Sequence, residues 1–323
     1  MSNSLFPVGE WSGFLPTFPP NLGHTKLSSH DHPTAMFMRQ VTQTAKRRKF
    51  MSTMRLVFDF DGTITQRDTI GELAQAAVNI QRRRTARDLQ PAWDHAVKAY
   101  LQDFESYKTS FNPPESKRRD VASEKRFLSG MKGAEEASLS RVSESGIFAG
   151  LGPDDLFQMG VDAVSSGRVA VAEGFEELLN WAKSRGLDVD IISVNWSTSF
   201  IKGVLHPHRL RVVANDIAES GQIHGPQSTG SRITTAPDKL KALQQIVPTG
   251  QQLLYFGDST TDLECLLYSH GVVMAKDGTS SLLSTLSRIG IDVPHIGSLQ
   301  ENTNAKLFWA CDFRQVQSGI LRQ

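Results

Sequence analysis

Short apolar runs that end in polar or charged residues alternate along this chain with longer stretches whose apolar positions recur at helical spacing. The runs at 55–58, 188–194, 253–256 and 271–275 each have the near-continuous apolar character of a parallel strand covered on both faces. Helical spacing leads into or follows them, as in the amphipathic stretch 281–288. Strands separated by helices predict an α/β fold, a doubly wound parallel sheet of about five strands with helices on both faces.

The first two runs are separated by about 130 residues, whereas a crossover between parallel strands needs only about a dozen. Apolar residues fall in helical phase over 70–84 and 89–107, and again over 116–145 through Val121, Phe127, Leu128 and Met131. Pro113-Pro114 breaks the middle, and Leu151-Gly152-Pro153 is expected to end a segment. The expected organisation is a helical insertion over 67–167 within a core formed by 54–66 and 168–290. In the tail 291–323, Phe308, Trp309 and Phe313 stand at near-helical spacing and are expected to pack on the core or on a second copy of the chain, which leaves a homodimer open. Residues 1–53 differ from the rest, with five prolines and the basic cluster Lys46-Arg47-Arg48-Lys49, and are expected to form a disordered extension. A chain starting at Met51 or Met54 would lose no strand of the core.

The chemistry gathers where the apolar runs stop. Arg55-Leu56-Val57-Phe58-Asp59-Phe60-Asp61-Gly62-Thr63 delivers two acids at the carboxyl end of a strand, where open α/β sheets bind their ligands. Residues i and i+2 on an extended chain point the same way, and Gly62 allows a sharp turn after them. Asp59 is thus a candidate nucleophile and Asp61 a candidate general acid and base, the alternative being a solvated Asp-x-Asp-Gly turn. The second run ends in Ser193, whose hydroxyl suits either a phosphoryl oxygen or a helix N-cap. Lys239 stands at a helix start opened by Pro237 and Asp238, the position of a phosphate ligand or of an ordinary surface lysine. The third run continues Gly257-Asp258-Ser259-Thr260-Thr261-Asp262, with acids placed either to complete a hard-cation site or to cap a helix.

Composition narrows the field. A net charge of +1 with 39% hydrophobic and 21% charged residues carries no bias toward nucleic acid or anionic membrane, and neither is expected as a partner. No apolar run approaches the ~20 residues of a membrane span. Two cysteines, Cys265 and Cys311, have no metal-ligand spacing and are expected to be buried thiols of a reducing, cytoplasmic compartment.

In this order the four motifs resemble the haloacid dehalogenase superfamily, and within it the phosphoserine-phosphatase-like branch, from about residue 55 to about residue 275. The resemblance implies that Asp59 forms an aspartyl-phosphate while Asp61 protonates the leaving oxygen and then activates water. It implies magnesium held by the Asp59 carboxylate, the Asp61 main-chain carbonyl and Asp258, with Thr63 supporting the arrangement and Asp262 either supporting it or orienting the lysine. Ser193, Lys239, Gly62 and Asn195 would contact the phosphoryl group. Asp61 separates this chain from the dehalogenases, since a halide leaves without a proton and an alkoxide does not. Where the branch usually has two glycines, this chain has Asn195 and Trp196, which would reshape the pocket floor unless Trp196 packs in the core.

The expected activity is magnesium-dependent hydrolysis of a small phosphate monoester, the alternatives being phosphoryl transfer to another hydroxyl or a silent phosphometabolite-binding protein. In the resembling family an insertion at 67–167 is a cap that reads the substrate. The candidate readers are Arg67, Asp68, Glu72, Trp93, His95, Tyr100, Lys108 and Arg126.

Overall fold

The computed structural model describes residues 54–298 and 305–321. The expected N-terminal extension, its basic cluster and the alternative start Met51 lie outside the described residues, which begin at Met54. The apolar runs form strands β1 (Arg55–Phe58), β2 (Val189–Ile192), β3 (Arg211–Val213), β6 (Leu253–Gly257), β7 (His270–Met274) and β8 (Leu307–Ala310). A separate antiparallel pair, β4 (Asp216–Ile217) and β5 (Ile223–His224), lies between β3 and β6 in the chain. The main sheet is parallel throughout in the order β3-β2-β1-β6-β7-β8.

The sheet therefore has six strands where about five were expected. The extra one is β8, drawn from the tail whose aromatics looked helical. Leu307, Phe308 and Ala310 are all buried, and a four-residue run covered on both faces carries neither a period of two nor one of 3.6 to read. Phe313 opens the short helix that follows and sits fully buried, closing against Phe58, Phe175 and Phe256 with ring centroids 5.7, 5.5 and 5.9 Å away.

Alternate residues of β1 feed two apolar clusters, Leu56 and Phe58 on one side of the sheet and Val57 on the other. That is the doubly wound arrangement, with helices on both faces.

Five of the helices between β1 and β2 fall in the insertion: α1 (Ile70–Thr85), α2 (Gln90–Ser110), α3 (Val121–Gly130), α4 (Lys132–Glu144) and α5 (Pro153–Ser165). The stretch 116–145 is two helices, because the chain breaks at Gly130-Met131. Gly152-Pro153 starts a helix instead of ending one: proline is tolerated at the first helical position, and Asp155 accepts the Gly152 N–H at 3.2 Å.

The remaining core helices are α6 (Phe175–Ser184), α7 (Thr198–Val204), α8 (Ala236–Ile246), α9 (Leu263–Tyr268) and α10 (Ser281–Arg288), the last with the bounds read from its pattern. Helix α5 lies on α7 so closely that a Cβ at Gly160 would stand 2.3 Å from the Phe200 carbonyl oxygen, and one at Gly203 2.0 Å from that of Phe157. Ion pairs stitch α3 and α4 to the core: Lys132 to Asp238 at 2.8 Å, and Glu136 to Arg232, Lys125 to Glu264 and Glu124 to Arg288, each at 2.9 Å.

At the amino edge of the sheet, buried Asp190 is held between Arg55 and Arg211, the latter at 2.8 Å. Cys265 is buried as expected, but Cys311 is exposed, on the turn after β8. Among the described residues, no helix is long and apolar enough to cross a membrane.

Candidate active site

Strand β1 runs between β2 and β6, with Phe58 opposite Ile191 on one side and Phe256 on the other. Parallel pairing in that register brings the residues after each strand to one edge, so Asp59, Ser193 and Asp258 converge although about 200 residues separate the first from the last. Gly62 turns the chain at φ +75°, and its missing side chain matters as much as its angle: a Cβ there would stand 2.2 Å from Asp258 Oδ2. Thr63 Oγ1 donates to Asp258 Oδ1 at 3.1 Å.

Lys239 enters from the first turn of α8, which Thr235 and Asp238 cap reciprocally. It is not a surface lysine. Fully buried, its ammonium lies 2.7 Å from Asp59 Oδ1 and 2.6 Å from Asp262 Oδ1, and donates to Thr261 Oγ1 at 3.3 Å.

Asp262 is wholly occupied by the protein. Its Oδ1 accepts from Lys239 and from the Tyr255 hydroxyl at 2.7 Å, and its Oδ2 from the Asp258 and Ser259 N–H groups at 3.2 and 3.1 Å. It therefore fixes the lysine and the turn.

Asp61 is held differently. Its Oδ1 accepts from the Thr69 N–H at 2.8 Å and the Thr69 hydroxyl at 2.6 Å, and its Oδ2 from Asn195 Nδ2 at 2.8 Å. Asn195, expected at the phosphoryl group, is instead fully buried against Asp61, Thr69 and Ser197. Ser193 Oγ accepts the Asn195 N–H at 3.0 Å, a bond that leaves its own proton free to donate.

Four carboxyls share this edge with one lysine, and their proton affinities record the imbalance. Burial, then Asp262, pushes Asp59 well above its ordinary value against the pull of Lys239. Burial also raises Asp61 despite the bonds from Thr69 and Asn195, and burial with Asp262 pushes Asp258 up to about 7. Burial alone would lower Lys239, yet Asp262 and Asp59 raise it well above its usual range.

Carboxylate oxygens of Asp59, Asp258 and Asp262 lie within 4.8 Å of one another, an acidic cluster able to hold a metal ion. The residues fit a hard dication: Asp59 Oδ1 is buried without a directed hydrogen bond, and the oxygen-only donor set carries excess negative charge. Since Asp262 is saturated, Asp59 and Asp258 are the carboxylates left to ligate.

Of the expected substrate readers, Trp93 is buried edge-on to Trp196 at 6.1 Å, and Trp196 itself packs in the core against Phe148. Tyr100 donates to Glu135 at 3.0 Å, Asp68 accepts the Ile70 N–H at 2.9 Å, and Glu72 lies 3.9 Å from Arg168. Arg67, His95, Lys108 and Arg126 are exposed. Two residues that bond the candidate site's carboxyls escaped the sequence reading, Thr69 and Tyr255. Thr69 carried the mark of an N-cap before an apolar helix but spends its side chain on Asp61, and Tyr255 looked like one more strand apolar.

An open parallel sheet that presents carboxylates and a buried cation along its carboxyl edge is the design of the Rossmann-like α/β enzymes. Within that class the chain belongs to the haloacid dehalogenase-like hydrolases, whose family model matches residues 56–267, about two thirds of the sequence.

Among curated proteins it is 26% identical over 298 residues to a CTO1 family protein of Schizosaccharomyces pombe, covering 83% of this chain and all of that one. It is 24% identical over 299 residues to cold tolerance protein 1 of Saccharomyces cerevisiae, covering 80% of this chain and 90% of the relative. Among solved structures it resembles a substrate-bound phosphoserine phosphatase with a TM-score of 0.44 and 16% identity, over 82% of this chain and 97% of the other. A HAD family hydrolase of Salmonella enterica gives 0.49 and 13%, over 90% and 81%.

Proposed function

We propose that this protein is a magnesium-dependent phosphatase that hydrolyses a small-molecule phosphate monoester through an aspartyl-phosphate on Asp59. The observation that carries this reading is the setting of Asp59: buried, 2.7 Å from a buried lysine, with a carboxylate oxygen that lacks a directed hydrogen bond and stands in a metal-sized acidic cluster.

An Asp59 oxygen bonds to phosphorus as the ester P–O bond breaks, its electron pair staying on the leaving oxygen, which takes a proton from Asp61. Asp61 next takes a proton from water while the water oxygen bonds to phosphorus. The bond from phosphorus to Asp59 then breaks, restoring the carboxylate and releasing phosphate. The Ser193 hydroxyl and Lys239 donate to the phosphoryl oxygens. Asp59, Asp258 and the Asp61 main-chain carbonyl would hold magnesium, which when bound offsets the repulsion between phosphoryl and carboxylate oxygens.

The helices 70–165 would act as a cap that reads the rest of the substrate and excludes water. Their ion pairs to the core around Asp238 and Glu264 support a small substrate over a folded phosphoprotein. The test is phosphate release from an aryl phosphate by wild type and Asp59→Asn, each with magnesium and with a chelator. Release by the wild type with magnesium alone is the expected result. Equal release by Asp59→Asn or in chelator would sink the mechanism.

A further inference from the structure

We propose that Asn195 is a positioning residue that holds Asp61 in line for proton transfer and makes no contact with the phosphoryl group. The inference rests on the hydrolase reading above. The Asn195 side chain is fully buried just past the end of β2.

An amide offers two N–H donors and one acceptor oxygen. Asn195 Oδ1 accepts the Ser197 N–H at 3.1 Å, which fixes the orientation of the group. Its Nδ2 then faces Asp61 Oδ2 at 2.8 Å and Thr69 Oγ1 at 3.2 Å. Both donors are used, and none remains for a phosphoryl oxygen. The backbone is fixed as well, since the Asn195 N–H donates to Ser193 Oγ and its carbonyl oxygen accepts from Asn215 Nδ2 at 3.2 Å.

Asp61 is thus clamped from two directions. Thr69, at the entry to α1, holds Oδ1 through its N–H and hydroxyl, and Asn195 holds Oδ2. A carboxyl that gives a proton to the leaving oxygen and takes one back from water must keep its place through both steps, and a misplacement of about an ångström can cost ~10²-fold. Asn195 also bonds both Asp61 and Thr69, so it joins the strand end that carries Ser193 to the residue that opens the first helix of the insertion. The two glycines usual in the resembling branch could not supply that side chain.

A residue that acts through the general acid matters in proportion to the substrate's need for a proton. The experiment compares phenyl phosphate, a poor leaving group, with dinitrophenyl phosphate, which leaves without protonation, for wild type, Asn195→Ala, Asp61→Asn and the double variant. Inorganic phosphate serves as a competitive inhibitor. The expected result for Asn195→Ala is a loss in kcat/KM, which reports only the steps through departure of the leaving group, of about 10²-fold on phenyl phosphate and less than about tenfold on dinitrophenyl phosphate. Phosphate inhibition should be unchanged, and the double variant should be no worse than Asp61→Asn alone.

Equal losses in kcat/KM on both esters overturn the proposal in favour of a merely structural role. A weakened phosphate inhibition with unchanged leaving-group dependence overturns it in favour of a phosphate ligand. Should Asn195→Ala fail to fold, Asn195→Ser, whose shorter side chain lacks the amide that reaches Asp61, must give the same split. Wild-type turnover that survives Asp59→Asn would instead bring down the hydrolase reading, a result separable from the others because it appears before Asn195 is touched.

Discussion

The same strands end in charge at both edges of the sheet, and the two edges are built on opposite plans. At the amino edge, Asp188 and Asp190 meet Arg55 and Arg211, two acids against two arginines, with Asp190 the buried member of the group. At the carboxyl edge, Asp59, Asp61, Asp258 and Asp262 share Lys239, the one cation paired with them among the described residues. Balanced charge accounts for itself, since a buried ion needs a partner and has one. Excess charge does not, and the raised proton affinities of Asp59, Asp61 and Asp258 mark a region built to receive something positive.

The strongest way to break this comparison is Asp59→Asn. Turnover of an aryl phosphate should fall at least about 10³-fold, as expected for loss of a nucleophile. A thermal melt in chelator should show no loss of stability, because the substitution relieves crowding among acids. A large fall in melting temperature would make the carboxyl edge as structural as the amino one.

Magnesium gives the next largest effect. At a hundredfold excess over its dissociation constant it should stabilise the wild type by ~2.7 kcal/mol, read as a rise in melting temperature. The same addition should do nothing for Asp258→Asn and act fully on Asp190→Asn. Asp190→Asn itself should cost about 2 kcal/mol in a denaturant titration, discounted from a fully buried pair because Arg211 is half exposed, and leave kcat unchanged in the folded enzyme.

The smallest effect is a pH slope in chelator. The folded state holds the proton of Asp258 up to about 7 against an ordinary 3.8, so its neutral form favours the fold. The Asp258 contribution to stability should therefore be lost as pH rises from about 3.8 through about 7, and Asp258→Asn should make the measured slope shallower.

What could be read in the sequence was chemistry tied to a strand end. Asp59, Asp61, Ser193 and Asp258 follow apolar runs, so knowing the strands amounts to knowing their edge. Lys239 needed its order among the motifs, because a lysine at a helix start looks the same whether solvated or buried. Asn195 and Thr69 were illegible as partners of Asp61, since 134 residues separate Asn195 from the acid it holds. The ion pairs of Asp190 were not legible either, because its arginines come from the neighbouring strands. Strand β8 hid because burial on both faces erased its period, and Gly130 gave no warning strong enough to divide 116–145.

Strand β8 also bears on how the protein is made. Every residue of the candidate site has been translated by Asp262, some 45 residues before β8 begins at Leu307. Until that strand arrives, the nascent sheet exposes the edge of β7. Phe58 and Phe256, the floor directly beneath Asp59 and Asp258, also lack the ring of Phe313. An open parallel edge beside uncovered aromatics is a surface that other chains adhere to. A ribosome stalled in that interval would carry a polypeptide with all of its catalytic groups and no finished sheet to hold them, a product for chaperones and proteases instead of a weak enzyme.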